Sequence, residues 1–155
     1  MLAKDYRELD VYRLALSSAL QIHGLSKSFP AEERYSLTDQ LRRCSRSVCA
    51  NIAEAWRKRR YPNHFVSKLS DADAEAAEAQ VWLDFAMHFG YLSSDLHDEL
   101  TDHYDHICSQ LTNMMAQPEQ WVPKDAQRST PDAPRSTKNK PATGGNRNAK
   151  NYPTQ

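Results

Sequence analysis

Apolar positions recur at steps of three and four through four successive segments, and no strand-length window alternates with period two. In the first segment, residues 9–27, Val11, Ala15, Ser18, Ile22 and Leu25 share a stripe. Pro30 disfavours helical geometry at Phe29 and can itself open the next helix. The second segment, residues 31–60, carries Leu37, Leu41, Cys44, Val48, Ile52 and Ala55 on its seam and stops at Pro62. The third, residues 63–89, has an alanine-rich seam of Phe65, Leu69, Ala72, Ala76, Ala79, Leu83 and Ala86, with Gly90 placed as a C-terminal cap. Ser93 or Ser94 caps the fourth, which runs through Leu96, Leu100, Tyr104, Ile107, Leu111 and Met114. Joints of a few residues make neighbours antiparallel, so the pattern predicts an all-α, up-down-up-down four-helix bundle over residues 1–116.

The periodicity ends near Gln117. Residues 117–155 are rich in Pro, Asn, Thr and Lys and poor in apolar side chains, which predicts a basic, disordered tail with Trp121 folding back on the bundle. Formal net charge is zero, but unevenly spread. Residues 1–122 hold 13 Lys and Arg against 18 Asp and Glu; residues 123–155 hold 7 against 2. From Arg42 to Arg60 there are seven cations and one acid, Glu54, whereas Asp71 to Asp105 contain ten acids and no Lys or Arg. The second helix is thus cationic and the third and fourth anionic, a division that steers a polyanion or pairs one subunit with the next.

The cationic run peaks in "AWRKRRYPNHF". One reading is a solvated helix end, where cations complement the carbonyl terminus. The other is a phosphate-contacting patch of Arg57, Lys58, Arg59 and Arg60, with Trp56, Tyr61 or His64 stacking on bases and Lys138, Lys140, Arg147 and Lys150 of the tail assisting.

Catalytic chemistry is not indicated. Glu99, His103 and His106 share a helix face, but the sequence lacks the Glu-x-x-His pairs of a di-metal bundle, so no metal or other cofactor is expected. There is no glycine-rich phosphate loop, G-x-S-x-G or H-E-x-x-H motif. Cys44 and Cys49 fall on a buried-looking seam as small core residues. With Cys108 they make an odd count without C-x-x-C, as expected of reduced thiols in the cytoplasm. The N-terminus lacks a signal-peptide core, and no apolar run of membrane-spanning length occurs. Glu54 is expected to pair with Arg57, Lys58 or a neighbouring subunit.

The stretch "FPAEERYSLTDQLRRCSRSVCANIAEAWRKRR" resembles the signature of a bacterial four-helix-bundle family known from intervening sequences in large-subunit rRNA genes. Phe29, Pro30, Glu33, Arg34, Tyr35, Leu37, Gln40, Arg42, Arg43, Ser47, Asn51, Ile52, Ala53 and Glu54 carry the match, with "LDVYRLA" resembling the family's opening and "GYLS" its third joint. The resemblance covers roughly residues 6–116. It departs from the pattern at Ser36 and Ala55, which replace glycines, and at Cys49, which replaces proline. It implies an antiparallel bundle without enzymatic activity, assembled as a homopentamer, in which Arg34, Tyr35, Arg42, Arg43, Asn51 and Glu54 serve fold or assembly. The family is similar to accessory proteins of diversity-generating retroelements, which implies RNA or DNA and a reverse transcriptase as partners. An assembly scaffold without nucleic-acid binding is the alternative.

Overall fold

A computed structural model describes residues 3–128 and places four long helices around one core, with no strand among the described residues. Helix α1 spans Asp10–Leu25, α2 Leu37–Lys58, α3 Pro62–His88 and α4 Ser94–Ala116. Each packs on two neighbours in the cyclic order α1, α2, α3, α4, with α2 and α3 the most extensive pairing. Short joints at 59–61 and 89–93 make successive helices antiparallel. No described helix is long and apolar enough to cross a membrane.

The seams read from the sequence form the core. Leu41, Cys44, Val48, Ile52 and Ala55 of α2 are at most 1% exposed, as are all seven seam residues of α3. Burying each larger aliphatic or aromatic side chain contributes roughly 1.5–3 kcal/mol. Ala72, Ala76, Ala79 and Ala86 contribute little area but let the neighbouring helices approach closely.

The ends of the elements follow local chemistry. Helix α2 begins six residues later than the expected start at residue 31. Ala31–Glu33 form a 3-10 turn instead, and Ser36 (φ −126°, ψ −103°) interrupts the helical backbone. The Glu33 carboxylate caps the true start, accepting from the Leu37 amide at 3.1 Å and the Ser36 hydroxyl at 2.6 Å. Pro62 opens α3, where its missing N–H costs no helical bond. Gly90 at φ 76° ends it, with the amides of Tyr91 and Leu92 both returning to the Ala86 carbonyl. Ser93 Oγ caps α4 by accepting from the Leu96 amide.

Residues 117–128, assigned from sequence to the tail, carry a 3-10 turn at Pro118–Trp121 and a short helix α5, Lys124–Gln127. Trp121 lies against the bundle, its ring 6.2 Å from Trp56 and 6.3 Å from Phe65. An aromatic side chain able to bury area holds this segment where its polar neighbours would not. The rest of the tail lies outside the described residues.

Candidate nucleic-acid interface

The cationic run closes one end of the bundle, where α2 stops, α3 starts and residues 118–127 cross over. Its members have different surroundings. Trp56 is not available for stacking on bases: it is 5% exposed, one turn beyond Ile52 on the α2 seam. Arg59 lies with its guanidinium carbon 4.0 Å from the Trp56 ring centroid, and its Nη1 donates to the Trp56 carbonyl at 2.7 Å. It therefore caps α2, and partial burial lowers its pKa while leaving it charged. Arg60 Nη2 donates to Asp125 Oδ2 at 2.6 Å, tying α5 to the bundle and holding that carboxyl below its ordinary value.

Arg57 and Lys58 are exposed, and neither has an ion pair among the described residues. Beside them, Tyr6, Ala53 and Glu54 complete a shallow, largely apolar hollow of about 280 Å³. Tyr61 is 59% exposed and tilts against the His64 ring at 5.7 Å. The acids at this end are engaged elsewhere. Asp5 binds the Arg7 amide and guanidinium, and Glu54 binds Lys68 Nζ at 2.8 Å. Both carboxyls are held below their usual range, Asp5 chiefly by the backbone amide and Glu54 chiefly by the Lys68 hydrogen bond. Lys138, Lys140, Arg147 and Lys150 lie outside the described residues.

The motif residues have mostly intramolecular roles. Arg42 Nε donates to Ser26 Oγ at 2.7 Å and Nη2 to the His23 carbonyl at 3.4 Å, clamping the end of α1 to α2. Arg43 reaches α3, with Nη2 2.6 Å from Glu78 and Nη1 3.4 Å from Glu75. Asn51 Nδ2 donates to Ser47 Oγ. Glu54 pairs with Lys68 across the α2–α3 hairpin, not with Arg57 or Lys58 as expected; that partner lies fourteen positions on and only the fold brings it near. The opposed charges of α2 and α3 are thus partly matched inside one chain. Arg34 is exposed and Tyr35 is 87% exposed.

The remaining chemistry is quiet. Burial pushes the thiols of Cys44, Cys49 and Cys108 up to about 12, 11 and 12, so they are protonated at neutral pH. His103 Nδ1 lies 3.4 Å from Ser18 Oγ, and His106 faces Asp102 across one turn of α4.

A family model described as 23S rRNA-intervening sequence protein matches residues 7–113. The chain is also similar to a solved structure, a protein with unknown function from the S23 ribosomal protein family of Bacteroides thetaiotaomicron VPI-5482. The TM-score is 0.62 at 25% identity, covering 68% of this chain and 97% of that one. No curated protein gives a significant match.

Proposed function

Since the chain belongs to the 23S rRNA-intervening sequence protein family, we propose that it is a non-enzymatic, homo-oligomeric bundle that binds nucleic acid at the α2–α3 end. Arg57 and Lys58 contact phosphates, and Tyr61 and His64 stand beside them as exposed rings able to stack on bases. One observation carries this reading: the nearby carboxylates are taken by other cations, leaving these two charges without an ion pair among the described residues. Arg59 and Arg60 support the site by shaping it. RNA or DNA is the partner, and a reverse transcriptase is the kind of enzyme such an accessory would serve. The test is titration of a mixed-sequence oligonucleotide at several salt concentrations. Each phosphate contact adds about −0.9 to the log–log salt slope on duplex DNA, so Arg57→Ala/Lys58→Ala flattens it by nearly two. An unchanged slope overturns the assignment.

A second reading, an assembly scaffold, draws support from apolar side chains left on the surface. Val81 and Phe85 of α3 and Phe89 just after it are 47%, 45% and 54% exposed, and Leu20 of α1 is 64% exposed. Tyr35, a motif residue almost wholly in solvent, fits contact with another chain better than a role in this fold. Solution mass separates the two: Phe85→Asp/Phe89→Asp dissociates the oligomer on either reading, whereas neutralising Arg57 and Lys58 dissociates it only if those charges assemble the ring.

A further inference from the structure

At the other end of α2, some 33 Å away at 1.5 Å per residue, a hollow of about 360 Å³ lies between the end of α1 and the start of α2. Ser26, Lys27, Phe29, Arg34, Thr38 and Arg42 contribute to its wall. Three of these are cations: Arg34 and Arg42 stand at the N-terminal end of α2, where the macrodipole disfavours positive charge, and Lys27 follows the C-terminal end of α1. No ion pair among the described residues offsets them. The nearest acid, Glu33, is committed to the Leu37 amide, the Ser36 hydroxyl and Tyr91 Oη. Glu32 and Asp39 are exposed on the adjoining turns and pair with none of the three.

Thr38 contributes to the same wall. Thr38 is 7% exposed and its hydroxyl has no hydrogen-bond partner. A buried polar atom left in this way carries an uncompensated desolvation penalty. Among the described residues, the amides of Thr38 and Asp39 also have no acceptor, since the capping carboxylate serves Leu37 and the first helical return, from Gln40, goes to Ser36. Arg42 uses Nε and Nη2 on α1 and keeps Nη1 free. A tetrahedral oxyanion in the hollow offsets the cations and is an acceptor of the kind that Thr38 and Arg42 Nη1 lack.

We propose that this hollow is a phosphate-binding site, in which Lys27, Arg34 and Arg42 supply charge and the hydroxyl and amide of Thr38 supply oriented hydrogen bonds. The group is either free inorganic phosphate or the terminal phosphate of a nucleic-acid strand. The site is separate from the Arg57–Lys58 patch and stands whether or not that patch binds nucleic acid.

The experiment is calorimetric titration of the full chain at low salt with three probes: inorganic phosphate, a 5′-phosphorylated oligonucleotide and the same oligonucleotide with a 5′-hydroxyl. Saturable binding of inorganic phosphate, one per chain with Kd below about 1 mM, is expected. It weakens at least tenfold in Arg34→Ala and several-fold in Thr38→Val, with helical circular dichroism retained and no change in Arg57→Ala/Lys58→Ala. If the 5′-phosphate tightens oligonucleotide binding and Arg34→Ala removes only that increment, the ligand is a strand end; if it adds nothing, the ligand is the free ion. Absence of inorganic phosphate binding, or binding unchanged in either Arg34→Ala or Thr38→Val, overturns the proposal. Loss of oligonucleotide binding in the Arg57/Lys58 variant alone bears only on the other end.

Discussion

Helix α2 carries cations at both ends, and the two ends hold them for different physical reasons. Arg57 and Lys58 sit in the last turn, where exposed carbonyls favour positive charge by about 0.3–1 kcal/mol. Their presence is explained without any ligand. Arg34 and Arg42 stand by the first turn, against the same field, with Lys27 across the hollow at the end of α1 and a hydroxyl with no partner between them. No ion pair among the described residues offsets that group. A charged cluster that the fold favours throughout is weak testimony to a partner; one left without ion pairs beside an unpartnered buried hydroxyl is stronger. The more conspicuous run in the sequence is therefore the less diagnostic of the two.

Four measurements sharpen or break this contrast. Trp56→Ala should lower unfolding free energy by about 3–5 kcal/mol in denaturant titration, because the ring belongs to the core. If stability held while oligonucleotide affinity fell, Trp56 would belong to the interface after all. Next in size, Arg57→Glu/Lys58→Glu should weaken oligonucleotide binding tenfold or more at 50 mM salt, read by fluorescence anisotropy. Lys27→Glu/Arg34→Glu should leave binding of a 5′-hydroxyl strand unaltered. Equal losses would erase the distinction between the ends.

Tyr104→Phe offers a control for Thr38. Both hydroxyls are buried without a partner, but Tyr104 lies fully within the core and lines no cationic hollow. Its removal should raise stability by about 1 kcal/mol and leave phosphate binding untouched. A loss of stability would show that the Tyr104 hydroxyl has a partner in solution. The smallest effect concerns His97, whose Nε2 lies 2.7 Å from Asp84 and Nδ1 2.9 Å from Asp98. The hydrogen bond to Asp84, then that to Asp98, raises its pKa above the ordinary value. Folding thus takes up a proton more readily than the unfolded chain does. The stabilisation is present in full below about pH 6.5 and fades as pH rises through the elevated folded value. The melting temperature should fall by a few degrees across that window, and His97→Gln should flatten the profile.

The seams of all four helices were legible because burial imposes the 3.6-residue period directly, down to the alanines of α3. The start of α2 was not: residues 31–36 contain good helix formers, and only the Glu33 cap shows that the chain turns before the helix begins. Trp56 was misread because four cations follow it, although its place one turn after Ile52 already put it on the buried seam. The Glu54–Lys68 pair and the division of the basic run into tied and untied members depend on cross-hairpin geometry that no spacing rule supplies. The resemblance marked Arg42 and Arg43 as fold or assembly residues; their contacts with α1 and α3 give them specific tasks within one chain.

Two of the chain's three tryptophans, Trp56 and Trp121, meet edge to face at 6.2 Å beside the Arg60–Asp125 bridge. Coupled indoles this close give an ultraviolet exciton signal and shared emission. The molecule thus carries a built-in optical gauge of whether residues 118–127 lie against the helices or have swung away, readable without any attached dye.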